Sequence, residues 1–164
     1  DVFIEVLPLP NGDKIIVGEE ITTAFFIDKN RIFHGMITFR RSLESGATVL
    51  CEVTTDYDAA LLPIIHAMNS HFKIRGSCNI QSIAISKKEV VPFEINGRIS
   101  GTNSIRSQFG FPDVEYTVRD FLTCESLDPV KIKKGCASRI LMDVIYPEQS
   151  LLEEKNIKAK HYLF

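Results

Sequence analysis

The amino-acid sequence predicts an α+β domain in which an antiparallel β-sheet packs with helices. Much of the chain before residue 100 consists of short runs rich in β-branched and aromatic residues, separated by polar turns, which is typical of hairpin strands. Residues 58–72 instead repeat apolar residues at spacings of three and four, which indicates an amphipathic helix. The order of strands, one long helix, a hairpin and then short elements favours an antiparallel sheet.

Polar turns separate the predicted strands. Asn11-Gly12 is a strong tight-turn signal, so residues 2–7 and 14–17 are expected to pair as a hairpin. The polar segment 28–31 and the pair Lys87-Lys88 mark two further turns. The full set of predicted strands is 2–7, 14–17, 18–27, 32–40, 48–54, 77–86, 90–98 and 130–145, with a short helix at 114–122.

The long helix is predicted at residues 58–72. The apolar residues expected to share its buried face are Leu61, Ile65, Met68 and Phe72. Asp58 precedes the apolar repeat and is a candidate N-cap. Pro63 either lies near the first turn, where proline is tolerated, or marks a kink.

Composition and charge exclude two classes of partner. The chain has 164 residues, of which 45% are hydrophobic and 24% are charged, so we expect one domain at residues 1–164 with a real core. A formal net charge of −2 argues against nucleic-acid binding, which needs a basic excess. No apolar run approaches the ~20 residues that cross a bilayer, so no membrane partner is expected. Because the first residue is not Met, we expect a piece of a longer protein.

The cysteines and histidines show no metal-binding spacing. Cys51, Cys78, Cys124 and Cys136 are widely separated, so we expect reduced, mostly buried thiols in a cytoplasmic protein. The four histidines have neither zinc nor metalloprotease spacing.

The most informative segment places three polar side chains two residues apart. Glu94, Asn96 and Arg98 would point to one side of a strand, because strand side chains alternate between faces. Phe93 and Ile95 would then point to the other side, into a core. A carboxylate and an amide oxygen suit a divalent cation, and a neighbouring guanidinium suits a phosphate.

The preceding strand adds another oxygen donor. Counting back from the Lys87-Lys88 turn places Gln81 opposite Glu94 and Asn96 if the two strands pair as a hairpin. Such a cage suits Mg²⁺ (or Mn²⁺), which takes one or two carboxylates and leaves its other positions to water and phosphates. The alternative interpretation is a solvent-facing sheet, because alternating polar residues are common there.

A small-residue loop at residues 99–106 follows these side chains and ends at a second guanidinium, Arg106. Exposed backbone N–H groups in such a loop can cradle phosphate. Short polar loops are common, so this feature supports the site only in combination with the others.

Three segments resemble the ATP-grasp ligases, the superfamily that includes the carbamoyl-phosphate synthetase large chain, biotin carboxylase and D-alanine–D-alanine ligase. Phe93-Glu-Ile-Asn-Gly-Arg-Ile-Ser-Gly-Thr resembles the C-terminal metal-binding segment of the superfamily. In the same order, Gly18-Glu-Glu-Ile-Thr22 is similar to a nucleotide-binding segment, and Cys78-Asn-Ile-Gln81 is similar to a metal-ligand strand. The resemblance covers residues 1–123 and implies an ATP-grasp C-terminal subdomain, with 124–164 as a poorly matched extension.

The resemblance also implies residue roles. These are Glu94 as the bridging metal ligand, Gln81 and Asn96 as flanking metal ligands, Glu20 as the ribose contact, Glu5 in the hinge beside adenine, and Arg98 as the catalytic group that holds the transferred phosphate. Arg40 and Arg41 lie where family members often carry basic residues near the substrate, although we interpret this pair as a solvated strand edge.

The chain also departs from the family pattern. Gly97 replaces the usual Pro, Ile21 stands where Tyr is common, and residues 8–17 lengthen a short connection. The sequence contains neither a Gly-rich loop nor a lysine pair to grip the α- and β-phosphates. The resemblance therefore implies the C-terminal part of a ligase that uses ATP and Mg²⁺ to form an acyl phosphate on a small carboxylate, which an amine or similar nucleophile captures. This part alone is expected to be inactive, and the alternative is a non-catalytic ATP-grasp-like nucleotide-binding or interaction domain.

Overall fold

A computed structural model describes residues 7–8, 14–15, 18–44 and 47–139. The strands are β1 Leu7–Pro8, β2 Lys14–Ile15, β3 Glu19–Ile27, β4 Phe33–Glu44, β5 Ala47–Thr54, β6 Gly76–Ser86, β7 Glu89–Asn96 and β8 Cys136–Ser138. The helices are α1 Asp58–Phe72, α2 Asn103–Gln108 and α3 Asp113–Val118, and α3 continues into a π-helical turn at Arg119–Thr123.

The main sheet has six strands in the order β7-β6-β3-β4-β5-β8, and every neighbouring pair is antiparallel. The short strands β1 and β2 pair separately, also antiparallel, as the Asn11-Gly12 turn predicts. After β5 the chain passes through α1 and returns along β3, so that β6 and β7 extend the sheet on its other side. This architecture confirms the predicted α+β class with an antiparallel sheet.

Helix α1 begins and ends at the predicted residues, but its predicted N-cap is wrong. Tyr57 occupies the N-cap position without a side-chain cap hydrogen bond, and Asp58 is the first helical residue. The helix continues through Pro63 and ends where Lys73 adopts a left-handed conformation and donates its backbone N–H to the carbonyl of Asn69.

The sheet has a core on each face. Helix α1 covers one face, where the core residues are Ile21, Phe25, Ile27, Tyr57, Leu61, Ile65, Met68, Cys78, Ile80, Ala84 and Val90. On the other face, the α2–α3 segment lays two buried aromatic residues, Phe111 and Tyr116, over Ala24, Phe26, Ile37, Phe39, Cys51 and Val53. Leu127, Val130 and Ile132 pack against this second core.

Two apolar residues do not lie where the sequence places them. Phe93 and Ile95 are 54% and 48% exposed, so the prediction that they point into a core is wrong. Both belong to β7, the edge strand, and within the described residues no further strand lies beyond it. Only Val90, near the start of β7, reaches the α1 core. Apolar alternation identifies a face of a strand, but it does not show whether that face is covered.

The predicted strand at 130–145 is also wrong over most of its described part. Residues 130–135 are irregular, and β8 contains only three residues. Residues 2–6 and 140–145 lie outside the described residues. Across residues 18–44 and 47–139, no helix combines the length and the apolar character needed to span a membrane.

The four thiols should divide into two reactivity classes. All are free, Cys51 and Cys78 are buried, and Cys124 and Cys136 are exposed, so the expectation of mostly buried thiols holds for two of them. Burial raises the pKa of the Cys78 thiol to about 11, so this thiol stays protonated at pH 8. Ellman's reagent at pH 8 should modify Cys124 and Cys136 rapidly and the other two only after denaturation. Rapid labelling of Cys78 in the folded protein, located by peptide mass mapping, would contradict this burial.

Truncating a side chain in the α1 core should destabilise the protein more than truncating an exposed one. Ile65 is fully buried, so Ile65→Ala should lower the free energy of unfolding by about 2–5 kcal/mol through lost transfer energy and a cavity. Leu122, which is 76% exposed, supplies the control, and Leu122→Ala should change stability by less than about 0.5 kcal/mol. Urea denaturation followed by circular dichroism measures both. Equal effects of the two variants would show that α1 does not seal this core.

Candidate functional site

The strand registers place the predicted polar residues on one face of the sheet. Gln81 lies directly opposite Glu94 on β7, and on its other side it lies opposite Thr22 on β3. Asn79 pairs in the same way with Asn96. Directly opposite residues in an antiparallel pair have Cβ atoms about 5 Å apart, so side chains from three strands form one polar patch.

Hydrogen bonds within this patch order its side chains. The hydroxyl of Thr22 donates to Oδ1 of Asn79 over 3.0 Å, and both residues are buried. At the edge, Nδ2 of Asn96 donates to Oε1 of Glu94 over 2.7 Å, and Glu94 itself is exposed. The patch therefore has a buried floor on β3 and β6 and an accessible carboxylate on β7.

A partly buried guanidinium lies beside this floor. Arg41, whose side chain is 12% exposed, donates its Nε to Oε1 of Glu20 over 3.1 Å, and its Nη2 contacts both Glu20 and Gln81. The interpretation of Arg41 as part of a solvated strand edge is therefore wrong. Arg40 lies on the opposite face, where it pairs with Glu19 and Asp56. The β3–β4 pairing explains this contact, because Ile21 lies opposite Arg40, which brings the next residues along the two strands, Glu20 and Arg41, close together.

Arg98 lies next to this polar patch, although it is not part of strand β7. Strand β7 ends at Asn96, so the prediction that Arg98 belongs to the strand is wrong. Gly97 and Arg98 form a bend, and the Arg98 guanidinium is exposed and donates to the backbone carbonyl of Ile99 over 3.2 Å.

These residues surround a cavity of about 350 Å³. Its floor carries Thr22, Asn79 and Gln81, and the loop 100–102 borders it together with Asn96. Three guanidinium groups line it, from Arg41, Arg98 and Arg139, and no carboxylate of the described residues is among the lining groups. Such a lining suits an anion, because guanidinium groups bind phosphate and carboxylate through paired hydrogen bonds.

Sequence reasoning missed Arg139. This residue directly follows β8, and its Nη2 donates to the backbone carbonyl of Gly101 over 2.9 Å. No motif marks it, because a contact between residues 38 positions apart depends on β8 joining the sheet edge beside β5.

Three solved structures show what the chain is similar to. The phosphoribosylaminoimidazole carboxylase ATPase subunit from Aquifex aeolicus superposes with a TM-score of 0.65 and 17% identity, over 94% of this chain and 49% of that one. N5-carboxyaminoimidazole synthetase from Staphylococcus aureus, complexed with ADP, gives 0.57 and 12%, over 71% and 33%. The Aspergillus clavatus synthase, in complex with ADP and 5-aminoimidazole ribonucleotide, gives 0.53 and 13%, over 74% and 36%.

The chain shares a fold with part of each of these three proteins, and this shared fold is consistent with the C-terminal part of an ATP-grasp domain that the sequence predicts. At these identities the likeness establishes a shared fold, and the chain spans between a third and a half of the length of the three proteins. No protein-family model and no curated protein sequence matches the chain.

The residues that the ATP-grasp resemblance nominates for the metal are adjacent in the fold. Within the described residues, no group of three or more His, Cys, Asp or Glu side chains could hold a metal ion. The nominated set has one carboxylate, Glu94, beside the amide of Asn96, whereas Arg41 holds the amide oxygen of Gln81. This donor set fits a Mg²⁺ ion that arrives with phosphate oxygens completing its coordination, and it does not fit a permanently bound ion.

The resemblance also assigns Glu20 and Glu5 to the nucleotide, and the structure describes only the first of them. Glu20, the expected ribose contact, lies on the site face and forms an ion pair with Arg41. Glu5, expected near adenine, lies outside the described residues.

Arg106 does not line the cavity. It is fully buried and pairs with Asp113 across 2.6 Å, away from the exposed loop surface that the sequence suggested. Burial lowers the pKa of this guanidinium, while the neighbouring carboxylate acts in the opposite direction.

Proposed function

We propose that this chain is the C-terminal part of an ATP- and Mg²⁺-dependent ligase. The reaction transfers the terminal phosphoryl group of ATP to a small carboxylate with release of ADP, and an amine or similar nucleophile then displaces inorganic phosphate from the resulting acyl phosphate. The observation that carries this proposal is the convergence of Glu94, Asn96 and Gln81 on one face of the sheet, beside a cavity lined by three arginines.

Glu94 and Asn96 are the proposed metal ligands. Their side chains are already hydrogen-bonded to each other, and Asn96 lines the cavity while the exposed Glu94 lies beside it, outside the lining. When bound there, Mg²⁺ neutralises charge on the transferred phosphoryl group. The amide oxygen of Gln81 accepts a hydrogen bond from Arg41. To act as a third metal ligand, this oxygen would have to give up that hydrogen bond or keep it while it also binds the metal.

Arg98 is the proposed catalytic residue. Its guanidinium is exposed, lines the cavity and lies two residues beyond Asn96. Phosphoryl transfer depends on positioning and on charges placed where negative charge develops, and a guanidinium beside the metal meets that requirement. Arg98 would orient the transferred group toward the carboxylate without donating a proton to it.

Glu20 and Arg41 are proposed to act on the nucleotide and the anionic groups, respectively. In the described structure Arg41 neutralises Glu20 through contacts to Oε1, so Oε2 could accept hydrogen bonds from the ribose hydroxyl groups while the ion pair persists. Glu5 keeps its proposed place beside adenine by the resemblance alone. We also propose a cytoplasmic location, because four free thiols suit a reducing compartment.

The second candidate is a non-catalytic nucleotide-binding or interaction domain with the same fold. The observation that favours it is the Arg41 contact, which occupies one of the three nominated metal ligands. The two candidates differ in whether Glu94 is needed for turnover or only for binding.

Glu94→Gln should abolish Mg²⁺-dependent ATP turnover, measured in the full-length protein, by at least about 100-fold, because the metal loses its single carboxylate ligand. Circular dichroism should remain unchanged, since Glu94 is exposed. Glu89→Gln, on the same strand but at its exposed first residue, is the matched control and should retain activity. Undiminished turnover in Glu94→Gln would remove the metal assignment, and a wild-type protein that binds nucleotide without turnover would favour the second candidate.

The chain alone should bind Mg-ATP weakly and should not hydrolyse it. Its sequence has no Gly-rich loop and no lysine pair for the phosphates, so we expect a dissociation constant above about 100 µM, equivalent to about −5.5 kcal/mol. Isothermal titration calorimetry measures this constant. A low-micromolar value would show that the cavity grips nucleotide without further residues.

A further inference from the structure

An ion pair lies buried beneath the loop that borders the cavity. Arg106 on α2 and Asp113 on α3 are each fully buried, with Nη2 of the arginine 2.6 Å from Oδ2 of the aspartate. Removing both charges from water costs several kcal/mol per ion, and their mutual attraction offsets this cost only when every polar atom is satisfied.

This pair is incompletely satisfied. Within the described residues, Nε of Arg106 and Oδ1 of Asp113 have no hydrogen-bond partner. Replacing a buried ion pair by apolar residues of similar volume is often neutral or stabilising. Stability alone is therefore a weak reason for an arginine and an aspartate at these positions.

The contacts of the pair instead connect the loop to the floor of the cavity. Nη1 of Arg106 donates to Oγ of Ser100 over 2.7 Å and to Oγ1 of Thr102 over 3.4 Å. Ser100 in turn donates to Oδ1 of Asn79 over 3.4 Å. Since Asn79 also accepts from Thr22, a continuous chain of polar contacts runs from the buried pair to β3.

A second hydrogen bond ties the Asp113 side of the pair to the sheet. The hydroxyl of Ser77, on the same strand as Asn79, donates to Oδ2 of Asp113 over 2.6 Å. The pair is thus tied to β6 through both of its members, once directly and once through the loop. Moving the loop away from the sheet would break the Ser100 contacts and leave the buried Arg106 with fewer partners.

We propose that the Arg106–Asp113 pair is a positioning device that holds the loop 99–102 over the cavity and thereby sets the affinity of the cavity for phosphate groups. This inference rests on the proposed function for the identity of the ligand, although the loop constraint stands independently of it. Arg106 and Asp113 are positioning residues, because neither lines the cavity. Arg98, which hydrogen-bonds the first residue of this loop, is the group whose placement depends on them.

Ser100 provides the first test, because changing it leaves the buried pair intact. Ser100→Ala removes the hydroxyl that joins Arg106 to Asn79, whereas Ser100→Thr keeps a hydroxyl and is the matched control. Ser100→Ala should accelerate amide hydrogen exchange in residues 97–102 at least 10-fold and weaken the binding of inorganic phosphate, titrated by NMR, at least 10-fold. Ser100→Thr should resemble the wild type in both measurements.

The double variant Arg106→Met/Asp113→Leu tests the pair itself. Its melting temperature should stay within about 4 °C of the wild type, while loop exchange and phosphate affinity change as in Ser100→Ala. Arg119→Met, which removes an arginine from ion pairs at the end of α3, should leave loop exchange and phosphate affinity unchanged.

Unchanged loop exchange in Ser100→Ala would overturn the positioning role, whether or not the double variant folds. Faster exchange with unchanged phosphate affinity would also overturn it, because the loop would then not control the cavity. A wild-type chain that binds inorganic phosphate, together with undiminished Mg²⁺-dependent turnover of Glu94→Gln in the full-length protein, would overturn the proposed metal site and leave the positioning role supported. If the wild type binds no phosphate at millimolar concentrations, the proposal that the Arg106–Asp113 pair sets the phosphate affinity of the cavity is overturned.

Discussion

Side chains alternate between the faces of an antiparallel sheet, so the register of β3, β6 and β7 determines which face each polar residue occupies. The observed register places Gln81 between Thr22 and Glu94. A slip of one residue would move Gln81 to the α1 face and bury an amide among apolar side chains. The alternating apolar residues opposite the site, such as Phe25 and Ile80, are fully buried and make such a slip costly. The hydrophobic core on one face thus fixes the polar arrangement on the other.

The site face is divided between a covered half and a cavity, and the division follows the α2–α3 segment. Phe111 and Tyr116 cover the apolar part of this face, and the buried Arg106 lies at the boundary. Loop residues on the cavity side of that boundary, including Gly101, contact groups from distant parts of the chain. The packing that seals the second core therefore lies next to the loop that borders the polar floor.

Local patterns allowed much of this structure to be predicted. The apolar spacing of residues 58–72 predicted α1 to the residue, and counting across Lys87-Lys88 predicted that Gln81 faces Glu94. Both features depend on periodicity or on a short turn, which adjacent residues determine. The exposure of Phe93 and the burial of Arg106 were not predictable in this way, because they depend on which distant element covers each residue. The same limit applies to Arg139, whose place at the cavity depends on a strand of three residues.

The distribution of charge around the cavity discriminates between kinds of ligand. Arg98 and Arg139 are exposed and line the cavity, Glu94 carries an exposed carboxylate outside the lining, and Glu20 already balances Arg41. A free divalent cation would gain the Glu94 carboxylate and meet several positive charges nearby, and a free phosphate would gain the arginines but lie near the negative charge of Glu94, which Asn96 contacts. Under the proposed function, a cation bound to phosphate oxygens would match both kinds of charge at once. Electrostatic complementarity therefore favours a metal–polyphosphate over either component alone.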